Sequence, residues 1–385
     1  MFKQYIISNF LKTLEKIEHG TLTLVMPDAK THTFFGSAEI QATISIKNWN
    51  VVTNIIAKGD VGFAESYRDG LFETDNLANL CTLALKNAHL FDQYIYGSSI
   101  AGWISQVMYY LQSNTIKGSQ RNIHAHYDLG NDFYSLWLDS TMTYSAAIFK
   151  NENESLLQAQ HNKYDRIIDR LNTPAGNLLE VGCGWGGFAD RATEKHDMNI
   201  KGITISNAQY NFAKRRLNKK AHLALEDYRK QNGKYDSIVS IEMFEAVGEE
   251  FWPVYFDKMK SLLKEKGKAV VQTITIDGQY FDRYRKTGDM IRTFIFPGGM
   301  LPSAEKFKAA ATKADLKIVD SFDFGKDYAR TLEHWLTAFE ANLPKVQAMG
   351  FDDKFIRIWR FYLSTCIASF TVGRTNVIQA ELVHA

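Results

Sequence analysis

The stretch Leu178-Leu179-Glu180-Val181-Gly182-Cys183-Gly184-Trp185-Gly186-Gly187-Phe188-Ala189 limits this chain more than any other. Apolar residues and an acid lead into four glycines, and a helix-like pattern leaves through Phe188, Ala189 and Arg191. That order predicts a strand, a tight turn and a helix start. Glycine at 182 and 184 lets the backbone take positive φ and lets a ligand press against it with no Cβ in the way. The helix start offers unpaired N–H groups to a polar ligand. Several nucleotide folds use such a turn, so its meaning depends on the chain around it.

Downstream of this turn, strand and helix patterns alternate, as in a doubly wound α/β sheet. Strands are predicted at 178–181, 200–204, 221–225, 237–241, 269–276, 316–322 and 377–383, with helices including 187–196, 207–218 and 250–263. The last strand follows a Gly373-Arg374 turn and reads as an antiparallel edge or an insert. Residues 277–302 interrupt the sheet after its fifth strand. They contain Phe294-Ile295-Phe296-Pro297-Gly298-Gly299-Met300-Leu301-Pro302, read as a rigid apolar loop serving as a lid or substrate wall.

Residues 1–115 read as a separate α+β unit. A helix is expected over 2–17, strands at 20–27, 33–35 and 40–49, and helices at 49–58, 62–69 and 76–87. No nucleophile–base pair or ligand cluster falls here, which suits a binding or docking domain. Residues 94–112 are aromatic and nearly uncharged, and read either as a lipid contact or as domain-interface packing. Residues 114–122 read as a linker. His124, His126, Asp128 and Asp132 lack metal-site spacing, so no metal is expected. Residues 155–171 form an amphipathic helix pattern.

At 385 residues the chain has room for two domains. A net charge of +2 argues against a general nucleic-acid binder. Cys81, Cys183 and Cys366 are far apart and odd in number, which excludes a disulfide framework or CxxC zinc site. No apolar run is long enough to span a bilayer, and the first seven residues are too short and interrupted for a signal peptide. A cytoplasmic location is therefore expected, with any membrane contact peripheral. Lys214, Arg215, Arg216, Lys219 and Lys220 make a basic helix end, either a solvated face or an aid near anionic headgroups.

Acid-x-Gly-x-Gly-x-Gly after an apolar strand resembles the first motif of S-adenosylmethionine methyltransferases. Five further runs narrow the likeness: His126-Tyr-Asp-Leu-Gly-Asn-Asp-Phe-Tyr134, Gly202-Ile-Thr-Ile-Ser206, Met243-Phe-Glu-Ala-Val-Gly248, Ile295-Phe-Pro-Gly-Gly299 and Phe324-Gly-Lys-Asp-Tyr328. Together they resemble the cyclopropane-fatty-acyl-phospholipid synthase family, whose members act on unsaturated acyl chains. The N-terminal portion is similar to the extra domain of the bacterial phospholipid-acting branch. The resemblance implies a Rossmann-like class I methyltransferase sheet over 116–385, preceded by an α+β accessory domain over 1–115.

It also implies a reaction. The alkene attacks the sulfonium methyl of S-adenosylmethionine, a cation-like centre forms, and a base removes a proton from the added methyl so that a ring closes. In the family that base is a bound bicarbonate, held by a carboxylate, an imidazole, a phenol and two backbone amides. By motif these positions are Glu245, Gln272, Tyr328 and the backbones of Ala146 and Ile274. Gln272 departs from the histidine common in bacterial members; it can donate a hydrogen bond but cannot titrate near neutral pH. Many members carry cysteine where Ala146 stands. The methyl donor is expected at Tyr144, Gly182, Cys183, Gly184, Gly186, Thr204, Gln209 and Asp227, with Asp227 equally readable as a helix cap. The implied partners are phospholipid acyl chains at the inner membrane surface and a second copy in a homodimer. Alternatives are methyl or methylene branching, amine N-methylation, and a non-catalytic lipid- or cofactor-binding protein.

Overall fold

The computed structural model describes residues 2–95, 129–173 and 175–385. The expected domain boundary at 115, the aromatic stretch 94–112 beyond Ile95, the linker, and His124, His126 and Asp128 lie outside these residues. The described residues form two compact units. The first combines the N-terminal part with Asp282–Pro297 and Leu343–Arg374; the second holds the rest up to Phe281, then Gly298–Asn342 and Thr375–Ala385. The division is therefore not one cut along the chain. Two later segments fold with the N-terminal part.

In the first unit, β1 (His19–Val25), β2 (Thr31–Phe35), β3 (Ser37–Ile46) and β4 (Phe72–Thr74) form a sheet ordered β2-β1-β3-β4. Alternation puts Leu22 and Leu24 of β1 and Ala42, Ile44 and Ile46 of β3 on the buried side. Phe63 stacks on Phe72 at 4.8 Å, and Phe361 meets Phe63 edge-on at 5.5 Å. Phe361 belongs to the helix Asp353–Thr371, which explains why that late segment joins this unit. Arg357 of the same helix lies over the Tyr67 ring at 4.0 Å and pairs with Glu73 at 3.2 Å. Asp60 accepts from Met290 N at 3.2 Å and so ties in the other late segment.

The second unit is a doubly wound sheet of β5 (Ala175–Val181), β6 (Asp197–Thr204), β7 (His222–Leu225), β8 (Tyr235–Ile241), β9 (Leu263–Ile276), β10 (Leu316–Asp323) and β11 (Thr375–His384). Its order is β10-β11-β9-β8-β5-β6-β7. The strands β5 to β9 run parallel to one another, and β11 is antiparallel to both β9 and β10. Of the two readings of the last strand, the insert is the one realised. Helices Leu156–Leu171 and Gly187–Lys195 bury Ile167, Leu171 and Phe188 against Leu178, Ile200 and Val239. Helices Trp252–Leu262 and Ala304–Lys313 bring Phe256 and Phe307 to within 5.4 Å of the Phe244 ring. Residues 277–302 are not one loop. They contain the short helices Gly278–Tyr284 and Met290–Phe294. Among the described residues no helix is long and apolar enough to cross a membrane.

Candidate active site

The site lies at the carboxyl ends of β5, β6, β8 and β9, where a doubly wound sheet opens toward a ligand. After β5 the chain turns sharply, with φ of 82° at Gly182, 51° at Gly184 and 85° at Gly186. Gly182 N and Cys183 N both donate to Ile203 O at 2.9 Å, which pins the turn to β6. A Cβ at Gly184 would meet nothing within 4 Å, so the turn is open on that side. A Cβ at Gly186 would press on Ala213 at 3.1 Å, which is a packing requirement. Cys183 is buried, and burial pushes its thiol well above the ordinary range, so it packs rather than attacks.

Of the other expected donor-site residues, Thr204, Gln209 and Asp227 stand at or after the carboxyl ends of β6 and β7. The Thr204 hydroxyl donates to Gln209 Oε1 at 3.0 Å, and both are buried. Asp227 caps the turn Tyr228–Lys230, and both its oxygens accept from Arg229, at 2.9 and 2.7 Å. Tyr144 stands in an aromatic group with Tyr134 at 5.5 Å and Trp335 at 5.3 Å, while Trp185 of the turn meets Tyr134 at 5.1 Å. Ring faces of this kind attract cations. Glu180 ends the apolar run of β5. It is 3% exposed, burial pushes its carboxyl up to about 8, and its Oε2 has no hydrogen-bond partner among the described residues. A buried acceptor left open at a ligand turn suits the cationic end of a methyl donor. Arg216, expected on a basic face, instead donates to Ser140 O, Thr141 O and Trp185 O and straps the loop before Tyr144 to the glycine turn.

Three of the residues expected on the acceptor side, Ala146, Gln272 and Tyr328, gather on Glu242, which the sequence reading did not single out. Ala146 N donates to Glu242 Oε1 at 2.8 Å, Gln272 Nε2 to the same oxygen at 2.7 Å, and the Tyr328 hydroxyl to Oε2 at 2.6 Å. Ile274 N donates to Glu245 Oε1 at 2.5 Å, and the Thr273 hydroxyl to it at 3.1 Å. The donors implied for bicarbonate are thus engaged by carboxylates of the chain itself. This set does not fit a bound bicarbonate. Glu242 was missed because it stands one residue before the matching run Met243–Gly248. The available signal was an acid directly after the apolar strand β8, at the same strand end as Glu180 on β5.

Local structure explains the convergence. Glu242 follows the last residue of β8 with φ +47°, rare for a residue with a Cβ, and its N–H donates to Gln272 O at 2.8 Å. The Ala146 loop is tied to the helix Leu156–Leu171: Gln160 donates to Ser145 O at 2.9 Å, Lys163 to Ser145 Oγ at 2.5 Å, and Thr143 and Tyr164 share a hydroxyl contact at 2.7 Å. Lys163 is fully buried; burial pushes it down to about 7, opposed by the charges of Glu242, Asp139 and Glu180. Desolvation and the charge of Glu242 together push Glu245 up to about 8. Desolvation also raises Glu242, but Tyr328, Ala146 N, Lys163 and Gln272 all favour its charged form. Of the two neighbours, Glu242 has the hydrogen bonds and nearby positive charge that favour an anion.

A glycine turn after the first parallel strand, with a buried acid and an aromatic group beside it, is the arrangement that the resemblance to S-adenosylmethionine-dependent methyltransferases implies. The comparisons narrow the class. The family model for mycolic acid cyclopropane synthetase matches residues 114–380, and the chain belongs to that cyclopropane synthase family. It is 32% identical to the tuberculostearic acid methyltransferase UfaA1 of Mycobacterium tuberculosis, over 95% of this chain and 88% of that protein. It is 33% identical to the cyclopropane-fatty-acyl-phospholipid synthase of Escherichia coli, over 86% of this chain and 84% of that one. The solved structure of mycolic acid cyclopropane synthase CmaA1, complexed with SAH and CTAB, matches with a TM-score of 0.64 and 32% identity. That match covers 68% of this chain and 97% of the other.

Proposed function

We propose that the protein transfers a one-carbon unit from S-adenosylmethionine to the cis double bond of an unsaturated acyl chain in a phospholipid, closing a cyclopropane ring. The observation that carries this reading is the carboxylate–phenol–amide group of Glu242, Tyr328 and Gln272 beside the Tyr144–Trp335 rings. The donor, held by the Gly182–Gly186 turn, Thr204, Gln209 and Tyr144, supplies an electrophilic methyl on a sulfonium. The aromatic faces favour positive charge, first on the donor and then on the alkylated chain. A carboxylate beside them accepts a proton in a setting largely screened from water. Asp227, fixed by Arg229, stands at the end of β7 where the adenosine end of the donor would lie.

The relative named for phospholipid acyl chains supports that acceptor, since this chain covers most of its length. Access to such chains calls for peripheral contact at the inner membrane face, with the N-terminal unit as docking element and a homodimer as the working form. A second reading is favoured by the relative named tuberculostearic acid methyltransferase: a branched chain in place of a ring. One experiment separates the two. The protein is incubated with monounsaturated phospholipid vesicles and isotope-labelled S-adenosylmethionine, and the acyl chains are released and analysed. We expect the added mass of one CH₂ per double bond and the far-upfield protons of a cyclopropane. An olefinic CH₂ signal instead would establish branching, and unmodified chains would refute both.

A further inference from the structure

A carboxylate presents two oxygens on a planar carbon, as bicarbonate does, so the same donors suit either. In this protein the carboxylate comes with the chain. Glu242 receives Ala146 N–H, Gln272 N–H and Tyr328 O–H at 2.8, 2.7 and 2.6 Å. We infer that Glu242 is itself the base of the reaction, in the position the family gives to an exogenous bicarbonate. The inference rests on the proposed acyl-chain reaction.

Three further observations support it. First, Gln272 cannot be turned to serve another acceptor without breaking a chain of hydrogen bonds. Arg166, which can only donate, donates a hydrogen bond to Gln379 Oε1 at 2.9 Å. Gln379 Nε2 then donates to Gln272 Oε1 at 2.9 Å, which leaves Gln272 Nε2 to donate to Glu242. Asp320 fixes the start of this relay, accepting from Arg166 at 3.1 Å. Glutamine at 272 is therefore the residue an internal carboxylate needs: a fixed donor that has no proton to lose. Second, Glu242 keeps a positive φ at the end of a strand, a strain of the kind retained where geometry serves a site. Third, Glu245 beside it holds its proton to about 8, because of desolvation first and the charge of Glu242 second, so the shared negative charge rests on Glu242.

The step moves one proton. The alkene pair forms a bond to the donor methyl, the carbon–sulfur pair stays on sulfur, and the second alkene carbon becomes cationic. A Glu242 oxygen takes a proton from the transferred methyl. The freed C–H pair forms the last ring bond and cancels the cation. Glu242 ends as a carboxylic acid and returns its proton to solvent before the next turnover.

The test uses the full chain with monounsaturated phospholipid vesicles and S-adenosylmethionine, in buffer stripped of carbon dioxide and in the same buffer with bicarbonate added. Wild-type turnover is expected to be the same in both. Glu242→Gln is expected to lose about 10²-fold in turnover or more, with no recovery on adding bicarbonate. Glu242→Gly, which suits the positive φ and clears the carboxylate, is expected to regain turnover with bicarbonate. Calorimetric binding of S-adenosylhomocysteine identifies any variant that has lost its fold. A binding arm needs no turnover: isotope-labelled bicarbonate observed by NMR should broaden with Glu242→Gly and not with wild type. Wild-type turnover that falls when bicarbonate is removed, or wild type that binds labelled bicarbonate, overturns the inference. Absence of any acyl product from wild type refutes the acyl-chain reading alone, and the NMR arm still decides what occupies the donors.

Discussion

The two halves of the site are built in opposite ways. The donor half is local. Its turn runs over a few residues, Gly182 and Cys183 hang on Ile203, and Thr204 meets Gln209 five residues on. The acceptor half is assembled from afar. Glu242 meets Ala146 across 96 residues of sequence and Tyr328 across 86, Gln272 meets Gln379 across 107, and Gln379 meets Arg166 across 213. A methyl donor of fixed chemistry can be gripped by backbone shape, which a short run of glycines encodes. A reaction that must handle a transient cation needs oriented side chains, and those are set by strand register and helix packing.

If that division is right, damage to the acceptor half should cost turnover and spare donor binding. Tyr328→Phe removes the hydroxyl that donates to Glu242 Oε2 at 2.6 Å while keeping the ring against Trp335 at 6.0 Å. Loss of a hydrogen bond to a buried charge costs about 1.5–3 kcal/mol, so kcat should fall by about 10- to 100-fold. Calorimetric affinity for S-adenosylhomocysteine should not change. A variant that lost donor affinity by the same factor would merge the two halves into one.

Damage to the turn should do the reverse, and two glycines separate binding from folding. Valine at either position pays for positive φ, about 1–2 kcal/mol. At Gly186 the new side chain also collides with Ala213 and Leu217, so Gly186→Val should lower the thermal midpoint by several degrees. At Gly184 the added Cβ meets nothing within 4 Å beyond its chain neighbours. Gly184→Val should therefore keep most of its stability and weaken S-adenosylhomocysteine binding by about tenfold or more. Equal affinity in Gly184→Val and wild type would show that the donor does not lie on the open side of the turn.

A smaller effect probes the relay behind Glu242. Gln379→Met keeps the volume and removes both of its hydrogen bonds, leaving Gln272 free to rotate. A fall in kcat of about tenfold or less is expected, the value of one neutral hydrogen bond, with KM for donor unchanged. Gln272→His should act similarly. The imidazole is shorter than the amide and cannot join Gln379 to Glu242 in the same line. The product is expected to remain a ring in both.

What the sequence displayed follows the same division. All seven strands of the large sheet were legible, because each is an apolar or alternating run closed by turn residues, and of the expected N-terminal strands β1, β2 and β3 the last showed its alternation. The glycine turn was legible as a contiguous motif, and Thr204 and Gln209 were named through the resemblance. Glu245, Gln272 and Tyr328 were found through resemblance, but their partner was not. Nothing in the residues around Glu242 says that Ala146 N–H and Tyr328 would reach it; that depends on where β8 ends relative to β9, and on how the helix Gly325–Ala341 packs. The mixed composition of the first unit was hidden for the same reason. Phe361 and Arg357 join it through contacts made more than 280 residues from Tyr67 and Phe72, which no local pattern announces.

The smallest effect lies in pH-dependent stability and separates the acids of the two halves. Glu180 on the donor side and Glu245 on the acceptor side are both pushed up from 4.5 to about 8, chiefly by burial. For an acid whose folded value is raised, the stabilising contribution is complete below the unfolded value near 4.5 and is lost as pH rises through about 8. The unliganded protein should thus weaken as pH rises from 6 to 8 and change little above that. Each acid that must ionise in place contributes up to about 2–3 kcal/mol over that span. Glu245→Gln and Glu180→Gln should each flatten the fall in thermal midpoint by a few degrees. The donor should then distinguish them. Its positive charge favours ionised Glu180, so S-adenosylmethionine should remove the high-pH loss in Glu245→Gln almost entirely. In Glu180→Gln it should leave the share due to Glu245. Equal rescue of the two variants would place the donor's charge against both acids and erase the boundary between the halves.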